Sequence, residues 1–297
     1  MSLSDASWPA LPFKDWEATC DTLHMWTQIA GKTRMTLSPP LNQWWHVTFL
    51  VSPRGLATRS IPFGSMTFDI EFDLVSHHAR IRTSQGMERA IPLYPRPVAD
   101  FYTEFMACLR ALGIEVKFAL KPDEFDDPTP YDEDRHHASY DMEAVERFRR
   151  ALVSVDRVLE RFRARFQGKS SPVHFFWGSF DLAVTRFCGR PAPERPGADR
   201  VTRLAYSHEC ISCGWWPGDR RYPKPAFYAY ASPAPAGLDK QPHFNAQMGE
   251  FILDYDEARS APSPEGRILD FCQNIYAAAA DLAGWDRKAL DCPEHPA

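Results

Sequence analysis

No stretch of this 297-residue sequence is apolar for the length of a membrane-spanning helix, which needs about 20 consecutive apolar residues. Positive charge is not in excess either. The 34 Lys and Arg against 39 Asp and Glu leave a net charge of −5, which gives no general pull toward nucleic acid or an anionic membrane surface. The opening residues, MSLSDASWPALPF, have neither a basic n-region nor an apolar h-region, so no secretory signal is expected. Cysteines are few, odd in number and scattered, at Cys20, Cys108, Cys188, Cys210, Cys213, Cys272 and Cys292. That is no disulfide framework, and it fits a reducing, cytoplasmic setting. Phosphate loops, dinucleotide fingerprints, G-x-S-x-G elbows and kinase motifs are missing. With them go the simple nucleotide-cofactor and serine-hydrolase assignments.

What is plentiful is proline and aromatic residues: 26 Pro, 20 Phe and 9 Trp. Proline-broken loops between aromatic-rich elements suggest an irregularly connected fold rather than a helical bundle. Trp16, Cys20, Leu23, Trp26 and Ala30 recur at helical spacing, with Gly31 as the expected end of that helix. HVTFLVS, GLATRSIP, MTFDIEFDLV and ARIRTS then read as an antiparallel meander. Within it, Phe68, Ile70, Phe72 and Leu74 alternate with Asp69, Glu71 and Asp73, the pattern of a half-buried strand with a wet acidic face. Pro97 opens a helix carrying Phe101, Phe105, Leu109 and Leu112. Residues 121–137 form an acidic, proline-broken loop. A long amphipathic helix follows over 141–167, capped by Ser139 or Asp141. Strands return from 172, and a last helix starts at Ser263-Pro264.

The expected fold is therefore α+β, with antiparallel sheets in two halves, about 36–120 and 171–285, and helices packed on them. The acidic loop and the 141–167 helix join the halves within one unit, residues 8–290. A β-sandwich with peripheral helices is the alternative. HVTFLVSPRGLATR and HFFWGSFDLAVTR share a leading His, a Leu-Ala pair and a Thr-Arg ending, which makes an internal duplication a candidate.

Chemistry concentrates in VHFFWGSFDLAVTRF, residues 173–187. Read as one strand, His174 shares a face with Phe176 and Phe180, while Phe175, Trp177 and Asp181 take the other. Both faces are mostly apolar, so the imidazole and the carboxylate each need a partner. Gly178-Ser179 reads as a bulge or a point of close backbone approach. AYSHEC repeats the theme with Tyr206, His208 and Glu209. If the two strands are neighbours, a histidine of each and an acid would share an apolar cleft suited to general acid/base work or to a divalent metal. The structural reading, histidines hydrogen-bonded to carboxylates in a core, competes with it. Trp44-Trp45 and Trp215-Trp216 read equally well as stacking platforms or core. His137, after the acidic loop, is an outside contributor. Cys210-Ile-Ser-Cys213 lies in a strand, where residues three apart face opposite ways, and reads as inert thiols. No EF-hand or H-x-x-x-H spacing accompanies the paired histidines.

HFFWGSFDLAVTRFCGR, with HASYD upstream and YSHE, AFYAYASP and EFILDYDEAR downstream, resembles a bacterial domain-of-unknown-function family of stand-alone chains. The resemblance runs from Trp8 to about Trp285 and implies one unit with no assigned activity. It matches at His137, Ser139, Tyr140, His174, Trp177, Ser179, Asp181, Arg186, Tyr206, His208 and Glu209. It departs at Cys188, Cys210 and Cys213, which weakens any thiol mechanism. The best reading is a small-molecule enzyme using His/carboxylate acid–base or metal-assisted chemistry in an aromatic cleft. A non-catalytic small-molecule binder and a structural or interaction protein with core histidines are the alternatives. Catalytic candidates are His174, Asp181, His208 and Glu209; ligand-binding candidates are His137, Tyr206, Trp177, Trp45 and Arg186. Any metal would sit on His174, His208 and Glu209. GWWPGDRRYPKP is a candidate homodimer surface. A shared site requires His174 and His208 within about 6 Å of each other.

Overall fold

The computed structural model describes residues 7–292. Helix α1 (Glu17–Leu37) precedes six short strands, β1 (Leu50–Ser52), β2 (Gly55–Ala57), β3 (Ile61–Phe63), β4 (Met66–Asp73), β5 (His78–Thr83) and β6 (Glu88–Pro92). Helix α2 (Val98–Ala111), the acidic coil and α3 (Met142–Ala164) lead into the second half. There β7 (Lys169–Ser170), β8 (His174–Phe176) and β9 (Asp181–Pro191) are followed by α4 (Arg200–Ala205), β10 (His208–Trp216), β11 (Ala226–Ser232), β12 (Phe244–Asn245) and β13 (Glu250–Asp254). The described chain closes with α5 (Tyr255–Arg259), α6 (Pro264–Leu282) and α7 (Arg287–Leu290).

Two antiparallel sheets result, ordered β1-β2-β4-β5-β6 with β3 on β4, and β12-β13-β11-β10-β9-β7 with β8 on β9. The α+β expectation holds. Helix α3 packs on β1 and β2 of the first sheet and on β9 and β10 of the second. Its capping residue is Asp141, which accepts from the Glu143 and Ala144 amides at 2.9 and 3.2 Å. The two similar stretches noted in the sequence each form a hairpin, and they meet where Phe49 and Phe175 exchange backbone hydrogen bonds of 2.9 Å.

Three local expectations change. First, α1 runs six residues past Gly31. This glycine ends nothing; a Cβ there would stand 2.5 Å from Cδ1 of Trp177, so the residue is small to seat an indole. Second, the acidic side of β4 is not wet. Glu71 and Asp73 are only 8% and 3% exposed. Arg82 reaches Glu71 at 3.0 Å and Arg54 reaches Asp73 at 2.8 Å. Burial works against the Asp73 charge, but the bonds from Arg54 and Ser76 hold its carboxyl well below the usual range.

Third, residues 173–187 are not one strand. Trp177 to Phe180 form the turn of a β8–β9 hairpin, and Phe180 takes a left-handed φ of +57°. The register pairs Phe176 with Asp181 and His174 with Ala183. Residues opposite each other share a face, so His174 and Asp181 lie on the same side, contrary to single-strand parity.

The second sheet has two unlike faces. Val184, Ile211, Cys213, Trp215, Phe227 and Leu253 join the main core, where α3, α5 and α6 pack on the sheet. On the other face Ala183, Ala226, Tyr228 and Ile252 form a separate small cluster, flanked by Phe176, Trp216, Tyr222 and Tyr230.

In an ordinary helix interior Gly→Ala gains about 1 kcal/mol. Gly31→Ala should instead lose roughly 1–3 kcal/mol in urea denaturation, because the added methyl overpacks against Trp177. A gain in stability would disprove that seating.

Candidate functional site

The structure does not bring His174 and His208 together. On β9, His174 pairs with Ala183 and His208 with Pro191. Eight residues at about 3.3 Å each separate those positions by roughly 25 Å, far beyond a shared site. Among the described residues the His208 ring bonds locally, with Ser207 Oγ 3.1 Å from its Nδ1. Glu209, displaced by a register shift between His208 and Cys210, ties the chain end down. It accepts from Arg190 at 2.6 Å and from Trp285 Nε1 at 3.1 Å. The metal set His174, His208 and Glu209 is thereby dispersed. Among the described residues no group of three or more His, Cys, Asp or Glu could hold a metal ion.

Asp181 does stand at a cluster. It opens β9, is 8% exposed, and faces away from the helices. Ser179 donates to its Oδ1 at 2.5 Å, and the Tyr228 phenol donates to its Oδ2. Tyr228 sits two strands away on β11, so its ring must cross β10. It crosses at Gly214, where a Cβ would fall inside the phenol and 2.5 Å from the Leu182 carbonyl oxygen. Only glycine leaves that path open. Tyr230, two residues on and therefore on the same face, stacks beside Tyr228 at 6.2 Å. Its hydroxyl lies 3.1 Å from that of Tyr206.

Charge at this cluster is unbalanced. Burial pushes the Asp181 carboxyl upward, although its bonds to Ser179 and Tyr228 favour the ionised form. Burial, then the nearby Asp181 charge, pushes half-buried Glu250 up to about 7. Glu124, from the acidic loop, is raised by the same two causes in the same order, though its exposure lets solvent screen much of the effect. One more polar group borders the face. Asp254, on β13, accepts from Tyr222 at 2.5 Å and Lys224 at 3.2 Å. There a depression of about 330 Å³ is lined by Tyr222, Ile252, Asp254 and their neighbours. Ile252 is the register partner of Tyr228, so the depression adjoins the cluster.

The remaining candidates are structural in placement. Trp177 donates from Nε1 to the Val47 carbonyl at 2.8 Å. Arg186 is fully buried on the helix-facing side, 3.5 Å over the Phe162 ring and 4.2 Å over Tyr276. Burial brings its guanidinium down to about 10. Trp45 lies edge-on to His174 at 6.0 Å. His137 pairs with Asp134 at 2.8 Å. Burial opposes its protonation, but Asp134 outweighs that and leaves His137 raised. Cys210 and Cys213 are buried, on opposite faces, and no disulfide forms. Of the homodimer loop, Trp215 belongs to the core, and Arg220 is held to Asp21 at 2.6 Å and Glu17 at 2.9 Å.

Sequence reasoning found Asp181 and Tyr206 but missed Tyr228, Tyr230, Glu250 and Glu124. A signal existed for the tyrosines. In AFYAYAS they alternate with alanines, which in a strand puts two phenols side by side on one face.

Fold and cluster together define a mixed α+β protein with two antiparallel sheets, one of which carries a carboxylate–phenol cluster on its helix-free side. The chain belongs to the family of unknown function DUF5996, whose model matches residues 8–292. No curated protein and no solved structure matches it. Among the described residues no helix is long and apolar enough to cross a membrane.

A carboxyl whose pKa rises on folding contributes fully below its unfolded value, here near 4.5, and loses that contribution as pH climbs through about 7. Urea denaturation should therefore show wild type losing on the order of 1–2 kcal/mol more than Glu250→Gln between those limits. Equal pH slopes for the two proteins would refute the shift.

Proposed function

We propose that the protein binds a small organic molecule on the helix-free face of its second sheet and acts on it by carboxylate–phenol acid–base chemistry. One observation carries this reading. Asp181 is a nearly buried carboxylate that accepts from Tyr228 and Ser179, on a face lined by Phe176, Trp216 and Tyr230. Buried carboxyls flanked by like charge titrate nearer neutrality, where a group can both give and take a proton. Glu250, pushed up to about 7, is then the acid, and Asp181 is the acceptor that orients a ligand hydroxyl or amine. Two carboxyls with separated ionisation are the usual division of labour in such sites. The aromatic surround favours a ligand with an apolar or cationic body. Histidine has no part in this version of the chemistry, and neither does a metal.

Benzylamine and benzyl alcohol are suitable probes, offering a cation and a hydroxyl on the same ring. Nuclear magnetic resonance titration should show saturable binding of both to wild type, weakened about tenfold in Asp181→Asn. Benzylamine affinity should rise as pH passes about 7 and Glu250 ionises, while benzyl alcohol affinity should not. Absence of saturable binding by either probe, or equal binding by Asp181→Asn, would overturn the reading.

A further inference from the structure

Helix α6 packs on the face of the second sheet opposite Asp181, and it borders a cavity of its own. The space, about 130 Å³, lies between α6 and residues 241–243, the segment that leads into β12. Arg267, Phe271, Asn274 and Ala278 follow one another at three and four along the helix, so they line the cavity from a single helix face. Phe271 and Ile275 are 1% and 3% exposed and give it an apolar floor. Asn274 and His243 are exposed lining residues and stand at its mouth. His243 is fixed there from three sides. Its φ of +72° is in the left-handed region, which is costly for a residue with a Cβ. Its carbonyl accepts from the Ile252 amide at 2.9 Å. Arg267 donates from Nη2 to its Nε2 at 3.1 Å, and its ring stands edge-on to Phe271 at 5.5 Å.

The charged and ring groups at this mouth are donors. A guanidinium cannot accept, so His243 Nε2 is the acceptor in its bond with Arg267, and the ring carries its proton on Nδ1. Arg267 Nη2 also reaches Glu257 at 2.7 Å. Nε and Nη1 of Arg267 have no partner among the described residues, and neither belongs to the buried unpartnered atoms, so both stay open to a ligand. No acidic residue lines the cavity. Glu257 lines the neighbouring depression instead, and its side chain is 54% exposed, so solvent screens its pull on the arginine. Water would satisfy these donors but leave the Phe271 and Ile275 floor wetted. An acceptor-rich head on an apolar body satisfies both. At about 130 Å³ the cavity is close to the roughly 150 Å³ that admits a benzene ring, and a guanidinium edge matches a carboxylate better than any other side chain does. We infer that this cavity binds a small aromatic carboxylate, its head on Arg267 and the His243 Nδ1–H and its ring on Phe271, Ile275 and Ala278. The inference does not depend on the acid–base reading of Asp181.

Isothermal titration calorimetry with benzoate, and with benzamide as its uncharged counterpart, tests it. Wild type should bind one benzoate saturably and benzamide about tenfold more weakly. Arg267→Met should weaken benzoate about tenfold and leave benzamide nearly unchanged. Ala278→Leu, which fills the cavity and removes no polar group, should abolish binding of both. If Ala278→Leu does not fold, Arg267→Met decides. Asp181→Asn should bind benzoate as wild type does, so a failure of this cavity and a failure of the acid–base site are read from different variants. The proposal is overturned if benzoate gives no saturable heat, or if either α6 variant binds it with wild-type affinity. Loss of benzoate binding in Asp181→Asn would overturn it too, because the ligand would then lie on the other face of the sheet.

Discussion

The two sheets are held in one body by the turn of the β8–β9 hairpin, and above all by Trp177. Its indole N–H bonds the Val47 carbonyl at 2.8 Å, its ring fills the notch left by Gly31, and the Phe49–Phe175 bridge begins two residues before it. On the far side of the turn, His24 Nε2 lies 2.8 and 2.9 Å from the Trp177 and Gly178 carbonyls. A ring that donates to two carbonyls carries its proton on Nε2. Burial lowers His24 to about 4, outweighing the two carbonyls, which favour protonation. Helix α1, the first sheet and the second sheet therefore converge on four residues of turn. Asp181 is the next residue after that turn, so its position is set by this junction.

The same logic explains why α1 is buried along most of its length yet carries a polar stripe. Glu17, Asp21, His24, Gln28 and Lys32 recur at three and four and so share one face. Each has an assigned partner. Glu17 and Asp21 take Arg220. Gln28 brackets the backbone of Asp123, donating to its carbonyl and accepting from its amide, both at 2.8 Å. Lys32 bonds the Lys121 carbonyl at 2.6 Å and the Asp123 carboxylate at 2.9 Å. A loop with this much acid and proline could not hold itself against a sheet. The stripe fixes it, and that brings Glu124 beside Gly178, within 3.1 Å of where a Cβ would stand.

How much of this was legible depended on whether periodicity or punctuation carried the signal. Helix α3 and the first sheet were readable because Val145, Phe148, Leu152 and Val155, or Phe68, Ile70 and Phe72, repeat at one period over several turns or residues. The β8–β9 hairpin was not. Its turn, Trp177 to Phe180, contains two aromatic residues, so the apolar run appears unbroken and Gly178-Ser179 looks like a bulge. That one misreading put His174 and Asp181 on opposite faces. Pairing of His174 with His208 failed for a different reason: adjacency of strands says nothing about register, and β9 is long enough to hold the two at opposite ends. Likewise, the acids of β4 look wet in sequence because the arginines that neutralise them come from elsewhere in the sheet, Arg54 from the β1–β2 turn and Arg82 from β5. Long-range partners of this kind leave no local trace.

The residue that most shapes the candidate site has no functional group. Gly214 lies in the middle of β10, where glycine weakens a strand. Nothing in its backbone demands glycine, for it is not among the residues of positive φ. What demands it is the Tyr228 phenol, which spans the strand to reach Asp181. A side chain at 214 would force the phenol off the carboxylate, leaving a buried acid with Ser179 alone, and an unmatched buried acid is the costlier state. The strand therefore gives up packing at one position so that a carboxylate can stay in the sheet face. The register partner of Gly214 on β9, Ala183, extends the same clearance on one side, while its partner on β11 is Tyr228 itself. Stability alone would fill that space with larger apolar groups, as the opposite face does with Trp215, Phe227 and Leu253. The sheet is packed tightly by large apolar side chains on one side, whereas on the other Gly214 and Ala183 leave room for a phenol to reach a buried acid.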